Sequence, residues 1–411
     1  MTTTRPRLLL FDPYSGGHHA EHIRHIVTAW KNSSRSGYLV AGVSPRLLAE
    51  HPDLDTLAFD TGDRGASFLK LDETTEIEQI RHKGLRQIGR INGNIFRRVV
   101  EAYKPERAHA LFLDHLQFAL ATSLRFSYPV RISGLLFRPE FHYGHLETSP
   151  PTPRERIRRY RKRLLLLASL RNPHLDVVFT LDPTAAPIID RLSPRVQAIP
   201  SPDPVDPGES MEPRMTIRES FGIEKERKML LLFGMLNARK GVLALLTALQ
   251  HLSEDACRRV AIVLAGRIDE SDRTAIEALA IRASERPIQL VLRDEFVPDD
   301  GIQSLLSAAD LALIPYQRHI GSSGVLIRAA AAGTPVLTQD YGVMAYQASK
   351  HRLGQTVDTT SPTCIARTIE AFLGDPTLDF DPQSGKRFAA QNTVEAYTST
   401  FLDALFPANT E

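Results

Sequence analysis

The fold of the chain is decided by the stretch PYQRHIGSSGVLIRAAAAGTPVLTQDYG, which spans residues 315–342. It contains a strand ending at Tyr316, a Gly-Ser-Ser-Gly turn, a helix of small residues to Ala332 and a second strand. This order is typical of a parallel α/β sheet. The first amides of a helix have no partner inside it, and Ser322 and Ser323 can cap this one. The pattern predicts an anion-binding turn, although an ordinary buried helix also satisfies it.

A second turn of the same kind precedes this stretch. Gly234 ends the strand LLLFG, and MLNARKG leads into the helix VLALLTALQHL. Backbone amides, the helix dipole and the ammonium of Lys240 together suit a phosphate. Taken alone, the pattern favours a lysine that only meets solvent at a helix start, so the prediction of a phosphate site depends on both turns.

Short apolar runs alternate with helical patterns along both halves of the chain, as in βα units. The predicted strands of the first half are Arg7–Asp12, Gly37–Val43, His109–Asp114, Val130–Phe137 and Asp176–Leu181. Those of the second half are KMLLLFGML, VAIVLAG, IQLVLRDEF, ADLALIPY and GTPVLTQD. The proline-rich segment IPSPDPVDPGESMEP separates the two halves, since it can continue neither a helix nor a central strand.

The pattern therefore predicts two doubly wound, Rossmann-like α/β domains that face each other across a cleft. We expect an N-terminal domain over 1–200, a linker over 201–225 and a C-terminal domain over 226–390. A last helix within 391–411 is expected to pack back on the first domain. A length of 411 residues agrees with two cores.

The composition is that of an ordinary globular protein whose net charge is too small to create a strong electrostatic field. Lys and Arg number 50 against 48 Asp and Glu, so a preference for anions has to come from local clusters. The two cysteines, Cys257 and Cys364, indicate a reducing compartment rather than a disulfide framework. With no membrane-spanning run and no signal-peptide pattern, a cytoplasmic location is predicted.

These segments resemble the GT-B glycosyltransferases, most closely the retaining family 4 group. The likeness covers nearly the whole chain and rests on the pair Gly16-Gly17 after the first strand and on IPSPDPVDP, FGMLNARKGVLALLTAL, VLAGRID, SLLSAADLALIPY and SSGVLIRAAAAGTPV. It implies an acceptor-side N-terminal domain and a C-terminal domain that binds a nucleotide sugar. It also implies a hexosyltransferase that needs neither a cofactor beyond its donor nor a bound metal.

The resemblance assigns candidate roles to individual residues. The donor-binding candidates are Gly16, Gly17, His18, Gly234, Arg239, Lys240, Arg267, Gly321, Ser322, Ser323, Gly324 and Val325. The catalytic candidates are Lys240, Arg328, Arg138 and His142. Lys240 would neutralise the leaving diphosphate, with help from Arg328 or Arg239. The acceptor side would be shaped by Gly17, His18, Arg138 and His142.

Several positions depart from the family pattern. Where the family carries two glutamates across the Gly-Ser-Ser-Gly turn, this chain has Ile320 and Arg328, and an arginine cannot accept a hydrogen bond from a ribose. Met235 occupies the position of the family arginine, five residues before the lysine. Arg239 is the candidate that could replace the charge of that arginine. The histidine that the family carries after the strand at Val130 would fall within residues 135–138, where there is none, and the nearest polar groups are Arg138, Glu140 and His142. A catalytically silent homologue that binds a nucleotide sugar or a glycan is therefore the alternative function.

The segment FDPYSGGHHAEHIRH, residues 11–25, has another interpretation. His18, Glu21 and His22 have the spacing of an inverted zinc-peptidase motif. A third ligand is not singled out, and a glycine turn beside a ligand explains Gly16 and Gly17 without a metal. The zinc peptidase is the less favoured alternative. Asp53 and Asp55 are interpreted as a surface turn.

The segment PTPRERIRRYRKRLLLL, residues 151–167, has six arginines and a lysine against one glutamate. Ile157, Tyr160, Leu164 and Leu167 fall at helical spacing, which gives an apolar stripe with a basic flank. A peripheral contact of residues 153–167 with the inner face of a membrane, or a lipid-phosphate acceptor, is weighed against a solvated face. Nucleic acid is not expected, because no aromatic platform accompanies the basic residues.

The sequence thus predicts a cytoplasmic glycosyltransferase of polysaccharide biosynthesis. It would move a sugar from a nucleotide diphosphate donor to a glycan or a lipid-linked acceptor, with retention implied by the family resemblance.

Overall fold

The computed structural model describes residues 7–71, 84–146, 151–209 and 212–407. The chain forms two compact units, which we call the N-terminal unit and the C-terminal unit. The N-terminal unit comprises Met1–His142, Pro151–Pro204 and Val394–Glu411, and the C-terminal unit comprises Tyr143–Pro150 and Val205–Thr393. The prediction of two α/β units with parallel sheets is confirmed.

The N-terminal unit is built on an eight-stranded sheet. Its strands are β1 Leu8–Asp12, β2 Gly37–Val43, β3 Phe59–Asp60, β4 Arg64–Lys70, β5 Arg107–Ala110, β6 Arg131–Leu136, β7 Leu175–Thr180 and β8 Gln197–Pro200. Their order is β3-β4-β2-β1-β5-β6-β7-β8, and every pair is parallel except β3 with β4. The predicted strand over His109–Asp114 is corrected: β5 ends at Ala110, and a 3₁₀ turn, Leu113–His115, follows.

The helices of this unit cover both faces of the sheet with apolar side chains. They are α1 His19–Asn32, α2 Pro45–Glu50, α3 Leu85–Tyr103, α4 Gln117–Thr122, α5 Pro153–Leu170, α6 Ala186–Leu192 and, from the end of the chain, α16 Val394–Leu405. The buried Phe401 and Leu402 of α16 share one hydrophobic cluster with Ile23 and Trp30 of α1. The last helix is thus part of the N-terminal core.

The C-terminal unit is built on a six-stranded sheet that is parallel throughout. Its strands are β9 Lys228–Phe233, β10 Val260–Ala265, β11 Gln289–Arg293, β12 Leu311–Ile314, β13 Val336–Gln339 and β14 Gly354–Val357. Their order is β11-β10-β9-β12-β13-β14. The central strands are nearly continuous apolar runs, as expected for strands covered on both faces.

The helices of the C-terminal unit pack on the two faces of this sheet. They are α7 Arg214–Ser220, α8 Val242–Ala248, α9 Glu254–Arg259, α10 Arg273–Ser284, α11 Asp299–Ala308, α12 Gly324–Ala332, α13 Gly342–Lys350, α14 Pro362–Gly374 and α15 Pro382–Ala390. The linker expected over 201–225 is corrected, because α7 lies inside it. Arg214 and Arg218 of α7 both bind the carboxylate of Asp310, which ties this helix to the sheet.

Each sheet has one point where the chain changes direction across it. In the N-terminal unit the chain moves from β1 to β2 and then returns on the other side with β5. In the C-terminal unit it moves from β9 to β10 and returns with β12. Ligands of open parallel sheets bind beside the carboxyl ends of the strands at such points. We call the β1/β5 position the first switch point and the β9/β12 position the second switch point.

Candidate functional site

Lys240 lies at the second switch point. It closes a 3₁₀ turn, Ala238–Lys240, that follows β9. Its Nζ donates to the carbonyl oxygen of Phe233, the last residue of β9, at 3.2 Å. The same atom lies 5.8 Å from the ring centroid of Tyr316, which follows β12. No carboxylate in the described ranges pairs with this ammonium, so its charge is available to an anion.

Two glycines allow this placement. Gly241 has a φ of +80°, and a Cβ there would lie 1.9 Å from the carbonyl oxygen of Pro315. A Cβ on Gly234 would lie 2.3 Å from the Nζ of Lys240. Any larger residue would push the lysine turn away from β12 or displace the ammonium. Gly234 therefore acts by making room, and no contact of its own with a ligand is needed to explain it.

Two backbone amides of the lysine turn are already occupied, so the predicted anion cradle at this position loses them. The amide of Lys240 donates to the side-chain oxygen of Asn237 at 3.0 Å, and that of Ala238 donates to Asp272 at 2.7 Å. A phosphate at this turn would meet the ammonium of Lys240 rather than these two amides.

The turn before α12 has open amides. The Ser323 hydroxyl caps the helix by accepting from the amide of Leu326. Ser322 is not the cap, which corrects the paired capping predicted for the two serines. The amides of Gly324 and Val325 have no partner in the part of the chain that the structure describes. Two N–H groups at the positive end of a helix dipole thus remain for a ligand.

Gly321 does not offer an amide, contrary to the prediction. Its N–H donates to the hydroxyl of Tyr143 at 3.2 Å. The Tyr143 ring is fully buried and packs against Tyr341, with ring centroids 5.4 Å apart. Gly342 permits this packing, because a Cβ there would lie 2.5 Å from the tyrosine ring. Tyr143 therefore fixes the loop that precedes α12.

The loop is also held to the lysine turn and to β13. The amide of Gln317 donates to the carbonyl oxygen of Arg239 at 3.0 Å, so the chains that follow β9 and β12 are directly joined. The buried side chain of Gln339, at the end of β13, accepts from the amide of His319 and donates to its carbonyl, both at 2.8 Å. This clamp fixes the backbone beside the open amides.

The arginine candidates of this unit are distributed around the second switch point. The guanidinium of Arg239 lies 5.8 Å from the ring centroid of Tyr316. Arg267 follows β10 and is exposed, and its carbonyl oxygen accepts from the amide of Leu236. Arg328 lies on α12 and pairs with Asp299 at 3.8 Å. The first two guanidinium groups form no ion pair with a described carboxylate.

The first switch point carries a different set of groups. The buried carboxylate of Asp12 at the end of β1 accepts from the amide of Tyr14 and lies 2.6 Å from the Nδ1 of His19, the first residue of α1. Burial raises the pKa of Asp12, and the hydrogen bond with His19 opposes the shift. The His19 ring stacks on Phe112, with centroids 4.1 Å apart. One ring nitrogen and one face of this imidazole are thus held in place.

Three further residues surround this pair. The hydroxyl of Tyr14 accepts from the side-chain amide of Asn92 at 2.7 Å, and burial raises the pKa of Tyr14 to about 12. His115, after β5, lies 4.7 Å from the Tyr14 ring, and burial lowers its pKa. The Nδ1 of His115 and the side-chain oxygen of Asn92 are buried and have no hydrogen-bond partner among the described residues. Such orphaned polar atoms are rare and suit a site that receives a polar ligand.

The next residues to consider are those of the predicted glycine turn, Gly16, Gly17 and His18. Gly17 has a φ of +77°, and a Cβ there would meet no atom within 4 Å. The protein itself does not crowd this position, so the left-handed backbone is what requires a glycine here. Gly16 lies in the bend before it. His18 is exposed and binds Glu21 at 3.0 Å instead of reaching toward Asp12.

His142, a predicted catalytic residue, is held by hydrogen bonds inside the N-terminal unit. Its Nδ1 lies 2.6 Å from the carbonyl oxygen of Pro139, and its Nε2 lies 2.9 Å from the hydroxyl of Thr184. Both ring nitrogens are therefore engaged. Arg138 is exposed, and its amide donates to Asp114 at 3.1 Å. Its charge contributes to the lowered pKa of His115, which places it near the first switch point.

The spacing of the zinc-peptidase motif does not produce a metal cluster. His22 is buried, its Nδ1 lies 3.1 Å from the hydroxyl of Tyr397, and burial lowers its pKa to about 3. His18 points to solvent beside Glu21. Among the described residues, no group of three or more His, Cys, Asp or Glu side chains is arranged to hold a metal ion. Asp53 lies in an exposed 3₁₀ turn and binds Arg24.

Comparisons with known proteins agree with this geometry. Residues 213–389 match the family model "Glycosyl transferases group 1". This range contains Lys240 and the turn before α12. The C-terminal unit carries a glycosyl transferases group 1 domain. An uncharacterised glycosyltransferase of Methanocaldococcus jannaschii is 30% identical over 167 residues, which cover 40% of this chain and 41% of that protein.

Solved structures match the group 1 domain and the N-terminal unit together. Sucrose-phosphate synthase of Thermosynechococcus elongatus has a TM-score of 0.66 and 16% identity, covering 97% of this chain and 98% of that one. Anabaena HepE in complex with UDP has a TM-score of 0.66 and 14% identity, covering 97% and 99%. The fold is that of GT-B glycosyltransferases. The chain spans about half the length, or less, of the curated relatives it matches.

Four residues of the two switch points were not predicted as site residues: Asp12, Asn92, His115 and Tyr143. Only Asp12 had a local signal, because it is the last residue of a clear apolar strand and carboxyl ends of parallel strands carry ligands. The others come from segments far apart in the chain and meet only in the folded sheet.

Proposed function

We propose that the protein is a glycosyltransferase that moves a sugar from a nucleotide diphosphate donor to a hydroxyl acceptor, with the donor held at the second switch point. The proposal is carried by two observations on neighbouring strands: an ammonium without a described carboxylate partner, Lys240, follows β9, and the open amides of Gly324 and Val325 follow β12. Both elements lie within the group 1 domain. HepE, of the same fold, binds UDP, which supports a nucleotide diphosphate.

The chemistry required of the site is charge stabilisation. The bond between the anomeric carbon and the β-phosphate oxygen breaks, and the acceptor oxygen bonds to the anomeric carbon while its proton passes to the departing diphosphate. Negative charge accumulates on the departing diphosphate, where Lys240 and the two amides would meet it. Arg239, Arg267 and Arg328 are the other cations of the unit that the proposal assigns to the diphosphate. No cofactor beyond the donor is used.

The acceptor is assigned to the N-terminal unit. The His19 imidazole, oriented by Asp12, and the orphaned atoms of Asn92 and His115 are groups that hydroxyls can bind. We extend the proposal to a glycan or lipid-linked acceptor, retention at the anomeric carbon and a cytoplasmic location. Retention is supported by the sequence resemblance to the retaining family 4 group, the lipid-linked acceptor by the basic segment 151–167, and the cytoplasmic location by the two free cysteines.

The test is the variant Lys240→Ala. Isothermal titration with UDP, GDP and ADP should show at least about tenfold weaker binding of the preferred diphosphate, because one charge-assisted contact is lost. Single-turnover assays with the matching nucleotide sugars should show transfer slower by about 10² to 10³. The control is Lys228→Ala, since Lys228 starts the same strand and pairs with Asp310.

Equal diphosphate affinity and turnover in Lys240→Ala and the unaltered protein would contradict the proposal. Tight binding of a diphosphate without turnover of any donor, across a broad acceptor library, would instead identify a catalytically silent binding protein. The control variant separates loss of the site from loss of the fold.

A further inference from the structure

Helix α5 is fixed on the N-terminal unit by one of its faces. Leu166, Ser169 and Leu170 are buried there. The buried carboxylate of Glu140 binds Arg158 at 2.7 Å and also pairs with Lys162. The orientation of the helix about its own axis is therefore set by both apolar contacts and a buried acid.

The opposite face exposes large apolar side chains. Ile157, Tyr160 and Leu164 are 61%, 63% and 48% exposed. At about 100° per residue, positions three and four residues apart form one stripe along a helix. The other large exposed apolar residues in the described ranges lie on different elements: Tyr103, Met215, Met235, Ile281, Phe296 and Leu378. Single exposed residues are ordinary, whereas three in one stripe indicate a binding surface.

Arginines border this stripe on both sides. By helical geometry, Arg154 and Arg161 lie along one edge, and Arg156 and Arg163 lie along the other. All four are exposed, and none forms an ion pair with a carboxylate of the described residues. The stripe of Ile157, Tyr160 and Leu164 with its four arginines is called the α5 face below.

The helix is already formed before any partner arrives. Thr152 and Glu155 make a complete capping box, and Pro153 occupies the first turn. A preformed helix does not spend interaction energy on ordering, unlike a segment that folds on binding. The α5 face thus needs only a partner that is apolar at its centre and anionic along both edges.

We propose that the α5 face lies in the headgroup region of an anionic lipid bilayer, with Ile157, Tyr160 and Leu164 immersed among the upper acyl chains. The arginine rows match the charge of anionic headgroups on both sides of the apolar stripe. A nucleic acid would satisfy the arginines but leave the apolar stripe in water. The inference does not depend on sugar transfer. No helix within the described residues is long and apolar enough to cross a membrane.

The test is co-sedimentation of the full chain with vesicles of phosphatidylcholine alone and with about 30% phosphatidylglycerol. The unaltered protein is expected to bind only the anionic vesicles, less at high salt. The variant Ile157→Ser/Tyr160→Ser/Leu164→Ser is expected to partition at least about tenfold less. The pair Arg156→Gln/Arg163→Gln should weaken binding and flatten its salt dependence.

Two measurements show whether a loss of vesicle binding comes from the α5 face itself. The matched control is Ile281→Ser/Arg282→Gln on α10, where an equally exposed apolar residue lies beside an arginine, and it should bind like the unaltered protein. Tyr160→Trp should give a blue-shifted emission on vesicle addition, since the natural Trp30 is buried and already shielded. Circular dichroism checks that the variants remain folded.

Several results would overturn the inference. They are equal binding to neutral and anionic vesicles, unchanged binding of the triple serine variant, and an emission of Tyr160→Trp that vesicles leave unshifted. Binding that depends on the arginines alone and is competed by duplex DNA would identify a general polyanion surface instead. The unaltered protein could instead form a dimer in solution that the α10 control variant keeps and the triple serine variant loses. That result would identify the α5 face as a contact between two copies of the chain.

Discussion

The two switch points have the same topology and opposite chemistry. At the first, a buried carboxylate, two imidazoles and stacked rings surround the ends of β1 and β5. At the second, an ammonium and two open amides lie beside the ends of β9 and β12. Sheet topology therefore decides where a ligand can bind, whereas the residues after each strand decide its charge.

The two units also differ in how they bury titratable groups. Three imidazoles of the N-terminal unit, His22, His109 and His115, have their pKa lowered chiefly by burial. In the C-terminal unit only His351, a half-exposed residue, shows the same shift among the residues described. The N-terminal unit should therefore be the acid-sensitive one.

The largest effect that tests this contrast is acid destabilisation of the N-terminal unit. His22 and His109 have a pKa of about 3 in the folded protein, against about 6.5 when unfolded. The unfolded chain binds more protons between these values, so stability falls as the pH decreases below 6.5. Each histidine should lower the free energy of unfolding by about 2 kcal/mol at pH 5. Asp12 acts in the opposite direction, because its pKa is raised.

The measurement is urea unfolding at pH 7 and pH 5, followed by the emission of Trp30, the single tryptophan, which lies in the N-terminal unit. His22→Gln should remove roughly half of the pH dependence, because glutamine does not titrate. Tyr397→Phe is the control: it removes the hydrogen bond to His22 and keeps the imidazole, so the dependence should persist. A pH dependence that His22→Gln leaves intact would refute the assignment.

Local signals in the sequence were sufficient for the second switch point. Lys240 and the turn before α12 follow apolar strands directly and precede helices, so strand, turn and helix could be interpreted within about thirty residues. What the sequence could not show is which amides are occupied. Gly321 is bound by Tyr143, which lies 178 residues away in the chain. The serine that caps α12 was also undecidable between two adjacent candidates.

The first switch point could not be assembled from local patterns. Its groups come from β1, α3 and the turn after β5, and only the strand order brings them together. Helical spacing also does not tell which neighbour a histidine meets. His22 meets Tyr397 of the last helix, and His142 is enclosed by Pro139 and Thr184. The short strands β3, β8 and β14 were missed, as was the seven-residue β4, since pairing rather than composition makes them strands.

A smaller effect tests the open amides of the second switch point. Gly324→Pro removes the first N–H of α12. Proline is tolerated there because it is the first helical position and Ser323 before it is extended. We expect diphosphate binding about tenfold weaker, as one hydrogen bond to a charged group is lost. Gly324→Ala keeps the amide and meets only Val205 at 3.5 Å, so it should bind normally.

Calorimetry of the two Gly324 variants with the preferred diphosphate distinguishes the amide from the side chain. Equal affinity in Gly324→Pro and Gly324→Ala would show that the amide is not a ligand. The charge contrast between the two switch points would then rest on Lys240 alone.

The smallest effect tests whether the two switch points have separate duties. Asp12→Asn keeps the shape of the side chain and removes the charge that orients His19 through the 2.6 Å contact. If the first switch point serves the acceptor, transfer should slow by about three- to tenfold, with a shifted pH profile, because a neutral amide holds an imidazole less firmly. Diphosphate affinity should stay unchanged. Asp53→Asn, at an exposed carboxylate of the same unit, is the control. A loss of diphosphate affinity in Asp12→Asn as large as that in Gly324→Pro would end the division of duties, since one ligand would then require both sets of groups.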